Sequence, residues 1–301
     1  MNTWKKSEKI LIKFFAIFFI TQIIPLDIHF YKEIFSSDWS QLSFYDFFRL
    51  TRYYPQWLGN ESFGNWAIAA ALAIIGTAVW SASEKKPINY DILYYWLRVI
   101  LRYRLALAVI AYGLIKLFPL QMPYPSLSNL HTNYGDFYGW KIYFHTLGIT
   151  PGYESFLGAV EVAAGILLLF RRTTTFGAGI IMGFAGNVFA ANIAYHIGEQ
   201  AYSAFLLLIS LFLFAYDAPR LYKLLVEGKF TKANRFKPVF TEASLVTTRR
   251  VVRSVFALFV LILSATTFAN YARAPHKYPS SPGLSGAYGF YNVREFKFNN
   301  K

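Results

Sequence analysis

Apolar runs of about 20 residues recur along the whole chain, and no other feature constrains its fold as much. Each run is long enough to cross the ~30 Å hydrocarbon core of a bilayer at ~1.5 Å of helix rise per residue. Hydropathy places spans at about residues 9–30, 66–83, 97–119, 153–170, 174–195, 201–217 and 251–271. The expected fold is an all-α integral membrane protein with seven transmembrane helices. Composition agrees: 55% of the 301 residues are hydrophobic and 15% charged, against roughly 25% charged in a soluble domain. An ordinary cytosolic enzyme is thereby excluded. The chain has no cysteine, which removes thiol redox chemistry, thiolate-held iron–sulfur clusters and cysteine-ligated zinc.

The net charge of +14 is carried by basic residues interleaved with apolar runs, so no continuous patch for nucleic acid is expected. Topology explains it better. With the N-terminus cytoplasmic, the inner segments and inner helix ends hold Lys5, Lys6, Lys9, Lys13, Lys85, Lys86, Arg98, Arg102, Arg104, Arg171, Arg172 and nine more residues from Arg220 to Arg253, 20 of the 30 basic residues. The opposite face holds nine, with Lys116 toward the outer end of a span. The positive-inside rule therefore points to an N-terminus inside and a C-terminus outside.

The chain divides accordingly. Residues 1–30 read as an uncleaved signal-anchor span. Residues 31–96 comprise an aromatic loop expected to lie along the outer surface, the second span and an inner loop. Residues 97–219 hold spans three to six, 220–250 a basic cytoplasmic segment, and 251–301 the last span with an outer tail. The sequon at Asn60 carries no weight, and His131 and His145 lack the spacing of a metal site, so no metal is expected. The basic segment begins as an amphipathic helix (Arg220, Lys223, Leu224, Leu225) suited to anionic lipid. The tail from Tyr291 to Phe298 alternates partly, as an outer strand would.

Ionisable groups within spans are costly and mark functional hypotheses. In the third span Ala106, Val109, Gly113 and Lys116 share one small-residue face, and in the fourth Glu154, Gly158, Glu161 and Gly165 do the same. In the fifth, Gly179, Gly183, Gly186 and Ala190 form a stripe expected to admit a neighbouring backbone, with Asn187 beside it. Lys116 lies ~8 Å from Glu161 in depth, a gap its stem largely spans, and Glu154 is nearer. Lys116 and Glu161 are thus candidate catalytic residues, a proton-handling or cofactor-polarising pair, or else a structural ion pair fixing helix register. Asn192 and His196 fall at i, i+4 with Tyr195 beside them at the outer end of span five. These three are candidate cofactor-binding residues, placed to hydrogen-bond a quinone carbonyl or to cap the helix.

The run from Arg102 through Lys116, then Leu147-Gly-Ile-Thr-Pro-Gly-Tyr153, Gly158, Glu161, Gly165, Arg171-Arg172-Thr173, Asn187, Asn192 and Tyr195, resembles the DoxX-like membrane proteins. The resemblance covers about residues 98 to 225 and is most specific at Gly158-x-x-Glu161-x-x-x-Gly165 followed by the arginine pair. It implies a DoxX-like four-helix bundle core in a bacterial cytoplasmic membrane, with spans one, two and seven as additions. Some members are linked to thiosulfate:quinone oxidoreductase and others to redox partners. Relatives often carry an acidic residue and a lysine after the tyrosine ending span five, where this chain reads His196-Ile-Gly-Glu199-Gln200. Two functions follow as expectations: a quinone-associated redox subunit, or a non-enzymatic scaffold or assembly protein binding a partner on the outer face. A transporter would usually show inverted repeats or broken helices, and the two halves share no repeat.

Overall fold

The computed structural model describes residues 4–36, 44–59, 61–85, 88–232, 236, 238 and 243–273, with residues 285, 286, 291, 294, 295 and 297 beyond. Every regular element among them is helical. The long helices are α1 (Lys6–Ile23), α4 (Gly64–Ser83), α5 (Tyr90–Leu117), α8 (Pro151–Leu169), α9 (Thr174–Ala194), α10 (Gln200–Ala215) and α12 (Ala243–Arg273). Between them lie α2 (Ile28–Ser36), α3 (Phe44–Thr51), α6 (Leu127–Leu130), α7 (Gly139–Gly148) and α11 (Ala218–Leu225). Among the described residues five helical segments are long and apolar enough to cross a membrane, and six if α10 and α11, bent by 62° at their junction, count as one. The chain is thus a helical, membrane-associated protein. Helix α5 falls outside that group because Arg98, Arg102, Arg104 and Lys116 lie along it.

Local sequence sets the helix ends. Glu8 accepts the Lys5 N–H at the start of α1, the Asn89 side chain accepts the Ile92 N–H at the start of α5, and Pro151 opens α8, where its missing N–H costs nothing. Pro25 and Asp27 separate α1 from α2, because proline disfavours a helical residue before it.

Helix α5 is the hub, packing along α8 and also touching α1, α3, α10 and α12. With α8, α9 and α10 it closes a four-helix ring. The small-residue faces of α5 and α8 meet backbone to backbone: a Cβ on Gly113 would stand 2.9 Å from the Val162 nitrogen, and one on Gly158 would strike the backbone of Leu117 and Gly113. Phe19 of α1 shares one core with Leu101 and Leu105 of α5 and Phe205, Ile209 and Leu213 of α10, all fully buried. Near the N-terminal end of α5, buried Lys13 is held by Glu84 at 2.5 Å and Ser81 at 3.1 Å, which fastens α1 to the α4–α5 connection.

Three expectations need correction. The glycine stripe of α9 takes no neighbouring backbone: Gly183 has open space, Gly186 meets only a Leu207 methyl at 3.9 Å, and Gly179 faces the Phe214 ring. The close approach falls instead on Gly177, whose Cβ would lie 2.9 Å from the Ala164 carbonyl oxygen. The aromatic loop, secondly, does not simply lie on the surface. It forms α2 and α3, buries Phe44, Thr51 and Tyr53, and its carbonyls at Thr51 and Tyr53 accept from Arg104 at 2.9 and 2.6 Å. Arg104, thirdly, is no inner-end residue, since α5 starts at Tyr90 and places it mid-helix. Asn60 and most of the proposed tail strand lie outside the described residues.

The packing yields a paired prediction. Gly158→Ala forces α5 and α8 apart and is expected to destabilise the protein by about 1–3 kcal/mol, the usual range for overpacking. Gly183→Ala, with nothing within 4 Å, is expected to leave thermal stability in detergent unchanged. Equal melting temperatures for the two variants would refute this assignment of the close face.

Candidate functional site

Where the C-terminal end of α5 meets α8, the sequence brings its buried charges together. Lys116 Nζ lies 2.5 Å from Glu161 Oε1, with the two side chains only 10% and 7% exposed. The pair forms because Gly113 and Gly158 let the helices touch one turn before each charged residue. Glu154 is not the partner of Lys116. Its Oε1 accepts the N–H groups of Gln121 and Met122 at 3.2 and 2.9 Å, so it anchors the turn that follows α5. Glu161 Oε2 is buried and has no hydrogen-bond partner among the described residues.

A second ion pair stands beside the first. Arg52, just past α3, donates to Glu199 Oε1 at 2.8 Å, and the Tyr112 hydroxyl, one turn before Lys116 on α5, donates to Glu199 Oε2 at 3.1 Å. Lys116, Glu161, Glu199, Arg52, Tyr112 and Asn192 all line one chamber of about 360 Å³. On one side it leads through Lys116, Glu161, Tyr112 and Glu199 into a narrow apolar pocket of about 60 Å³ between α5, α8, α9 and α10, walled by Val109, Ile181, Phe184 and Leu206. On the other, Arg52 and Glu199 separate it from a polar vestibule of about 620 Å³ formed under α2 and α3. Tyr143 of α7 also lines the chamber. Burial, and then the nearby Glu161 charge, pushes its phenol above the ordinary value, so it stays a hydrogen-bond donor.

The expected cofactor-binding trio separates. Asn192 is buried, but its Nδ2 donates to the Glu199 carbonyl at 3.0 Å and to Ser203 Oγ at 2.9 Å, splinting the α9–α10 turn. Helix α9 ends at Ala194 and His196 adopts φ 53°, so the i, i+4 register with Asn192 is lost and His196 is exposed outside the chamber. Tyr195 packs against Tyr143 with ring centroids 5.1 Å apart and does not line the chamber. Arg52, Tyr112 and Glu199 escaped the sequence reading. Only Glu199 left a signal there, an acidic side chain at the mouth of a span where lipid-facing sequence would avoid one. No group of three or more His, Asp or Glu residues placed to hold a metal exists among the described residues.

The vestibule carries a further carboxylate. Glu61 Oε2 accepts the N–H groups of Ala201 and Tyr202 at the start of α10, at 2.9 and 3.4 Å. Burial raises its pKa, aided by the Glu199 charge, despite the hydrogen bonds that oppose the shift.

No family model matches this chain, and no solved structure matches it. Over 79 residues it is 35% identical to an uncharacterized protein, YwoB, of Bacillus subtilis (strain 168). That alignment takes in 26% of this chain and 51% of the relative, about half of the relative's length.

Two outcomes are expected of this geometry. Lys116→Met alone leaves a buried carboxylate uncompensated and should cost about 3–5 kcal/mol, while Lys116→Met with Glu161→Met should recover most of it. Unfolding in detergent checks this, and additive losses would show that the two side chains do not interact. For Glu61 the folded-state pKa is raised, so the native state binds its proton more tightly. Its contribution to stability is fully present below the ordinary value of 4.5 and is lost as pH rises through the raised one. Glu61→Gln should flatten the melting temperature over that window, and an unchanged slope would contradict the assignment.

Proposed function

We propose that this chain is a DoxX-like polytopic protein of the bacterial cytoplasmic membrane that binds a quinone in the Lys116–Glu161 chamber as part of a membrane redox unit. In this topology all seven long helices cross, with the N-terminus inside and the C-terminus outside. Support comes from the length of α5 and α10, from their place in the four-helix ring, and from the excess of basic residues on one side. The comparisons leave the activity open, so the proposal rests on the site.

One observation carries it. A buried ion pair stands where an apolar pocket meets a polar chamber, and one carboxylate oxygen of that pair, Glu161 Oε2, has no protein partner among the described residues. A buried unsatisfied acceptor costs about 1–3 kcal/mol, so a donor from a ligand, or a proton, belongs there. The residues fit a ring bearing carbonyl or hydroxyl oxygens. Lys116 donates to a carbonyl oxygen, Glu161 Oε2 accepts from a hydroxyl, and Tyr143 and Tyr112 line the remaining wall. When bound, a quinone would supply two-electron, two-proton chemistry. Glu161 would hold or release the proton, and Glu199 with Arg52 stands between it and the vestibule, on the way to water.

A second reading is favoured by exposed side chains. Leu127, Leu130, Tyr134 and Tyr138 around α6 and α7 are each more than half exposed beside the chamber mouth. They suit a scaffold or assembly role toward a protein partner on the same face.

Purification in native lipid particles and solvent extraction, with quinone quantified per protein by mass spectrometry, decides between them. Stoichiometric quinone in the wild type is expected, falling to the level of an unrelated membrane protein in Glu161→Gln. Background quinone in folded wild-type protein would overturn the redox proposal and favour the scaffold.

A further inference from the structure

At the end of the bundle away from Lys116, a cavity of about 870 Å³ opens between the α8–α9 turn and the α10–α11 bend. Three guanidinium groups line it. Arg172 has no partner among the described residues. Arg220 stands 3.8 Å from Asp217 and keeps a buried Nε with no acceptor. Arg171 donates one nitrogen to the Phe236 carbonyl, lies 6.0 Å from the Tyr95 ring centroid, and keeps its other N–H groups without an acceptor among the described residues. Among the described residues that line the cavity Asp217 is the one carboxylate, and it also accepts from the Thr175 hydroxyl, so three cations face one anion there.

The cavity continues upward as an apolar track. Phe176, Ile180 and Phe214 wall it, Gly179 leaves only the Phe214 ring in contact, and one turn further Gly183 has nothing within 4 Å. Here the open glycine stripe has a use: with no side chain at Gly179 or Gly183, it leaves a groove on the face of α9 along which a hydrocarbon chain can lie, leading away from an arginine cluster. Helix α11 begins at the cavity and exposes Tyr222, Leu224 and Leu225, an amphipathic face that settles into the headgroup boundary and holds Arg220 at that depth.

We infer that this cavity is a binding site for one anionic glycerophospholipid, its phosphate held by Arg172, Arg220 and the free edge of Arg171, and one acyl chain lying along the Gly179–Gly183 groove. The guanidinium fork matches phosphate oxygens in pairs, which an ammonium cannot do, and basic pockets between helices are the usual form of such sites. The ligand chemistry is a phosphate ester, and the apolar wall of Phe176, Ile180 and Phe214 beside the arginines makes the lipid, rather than free phosphate, its source. The site is independent of the quinone proposal and lies at the other end of the bundle.

The full-length protein in detergent is titrated with phosphatidylglycerol, phosphatidylcholine or inorganic phosphate while its melting temperature is followed, and lipids retained through purification are identified by native mass spectrometry. Phosphatidylglycerol alone should raise the melting temperature and be retained. Its apparent affinity should fall about tenfold in Arg172→Gln/Arg220→Gln, the effect of losing a charge-assisted hydrogen bond. Arg172→Lys/Arg220→Lys, which keeps the charge, should also bind more weakly, and Lys223→Gln/Lys229→Gln should bind as the wild type does. Equal stabilisation of the wild type by phosphatidylcholine or by inorganic phosphate would overturn the proposal. So would equal weakening in the lysine control, which would mean diffuse surface charge. Should the double glutamine variant not fold, the wild-type titrations and the lysine-substituted pair decide.

Discussion

Backbone contact between α5 and α8 sets the geometry on which the rest of the structure depends. In a bilayer, apolar side chains gain nothing from leaving lipid for one another, so helices associate where small residues let their backbones touch. Gly113 on α5, Gly158 on α8 and Gly165 beside Ile110 supply that approach along one seam. Because α5 also touches α1, α3, α10 and α12, its position fixes theirs. The α8–α9 contact repeats the device at Gly177 against Ala164, and α10 completes the ring. The chamber is what remains where the seam ends and the helix termini diverge.

Charges within the bundle follow the same economy. An isolated ion in this medium is prohibitive, and Lys13, Arg52, Arg104 and Lys116 are each held by a partner from another element, while buried Arg102 stays beside the Tyr103 ring of its own helix. Lys13 and Glu84 join α1 to the connection after α4. Arg52 and Glu199 join the segment after α3 to the α9–α10 turn. Arg104 satisfies two carbonyls of the same segment, those of Thr51 and Tyr53. The segment around Thr51–Tyr54 thus covers the chamber from the vestibule side with two of its carbonyls held by a mid-helix arginine.

Much of this was legible in the sequence where a period or a composition carried it. All seven apolar runs correspond to long helices, and the faces of α5 and α8 that were read from spacings of three and four are the faces that pack, with Lys116 and Glu161 joined between them. What failed depended on where a helix stops or on which of two glycine rows meets a neighbour. His196 lost its register because α9 turns at Tyr195, and a one-residue positive φ has no periodic signature. Gly177 rather than Gly179 takes the backbone contact because α8 crosses α9 near its start, and crossing positions are a property of two helices together. Arg52 lay in a segment whose aromatic composition suits both a membrane surface and a folded plug.

The glycine seam also bears on whether the Lys116–Glu161 pair is structural. A buried ion pair is retained for specificity when it selects one register among several. Here the register is selected already: sliding α8 along α5 by one residue would place side chains where Gly113 and Gly158 now leave room only for backbone. Lys13–Glu84 and Arg52–Glu199 differ in this respect, since each fastens a connection that no glycine seam holds. Only the Lys116–Glu161 pair joins two helices that are fixed without it, and its carboxylate keeps one buried oxygen without a partner among the described residues. A redundant fastening with a spare acceptor is poor structural design and good site design. On the proposed reading, the desolvation it costs is explained by what it presents to the chamber, a cation and a carboxylate at fixed separation beside an apolar pocket.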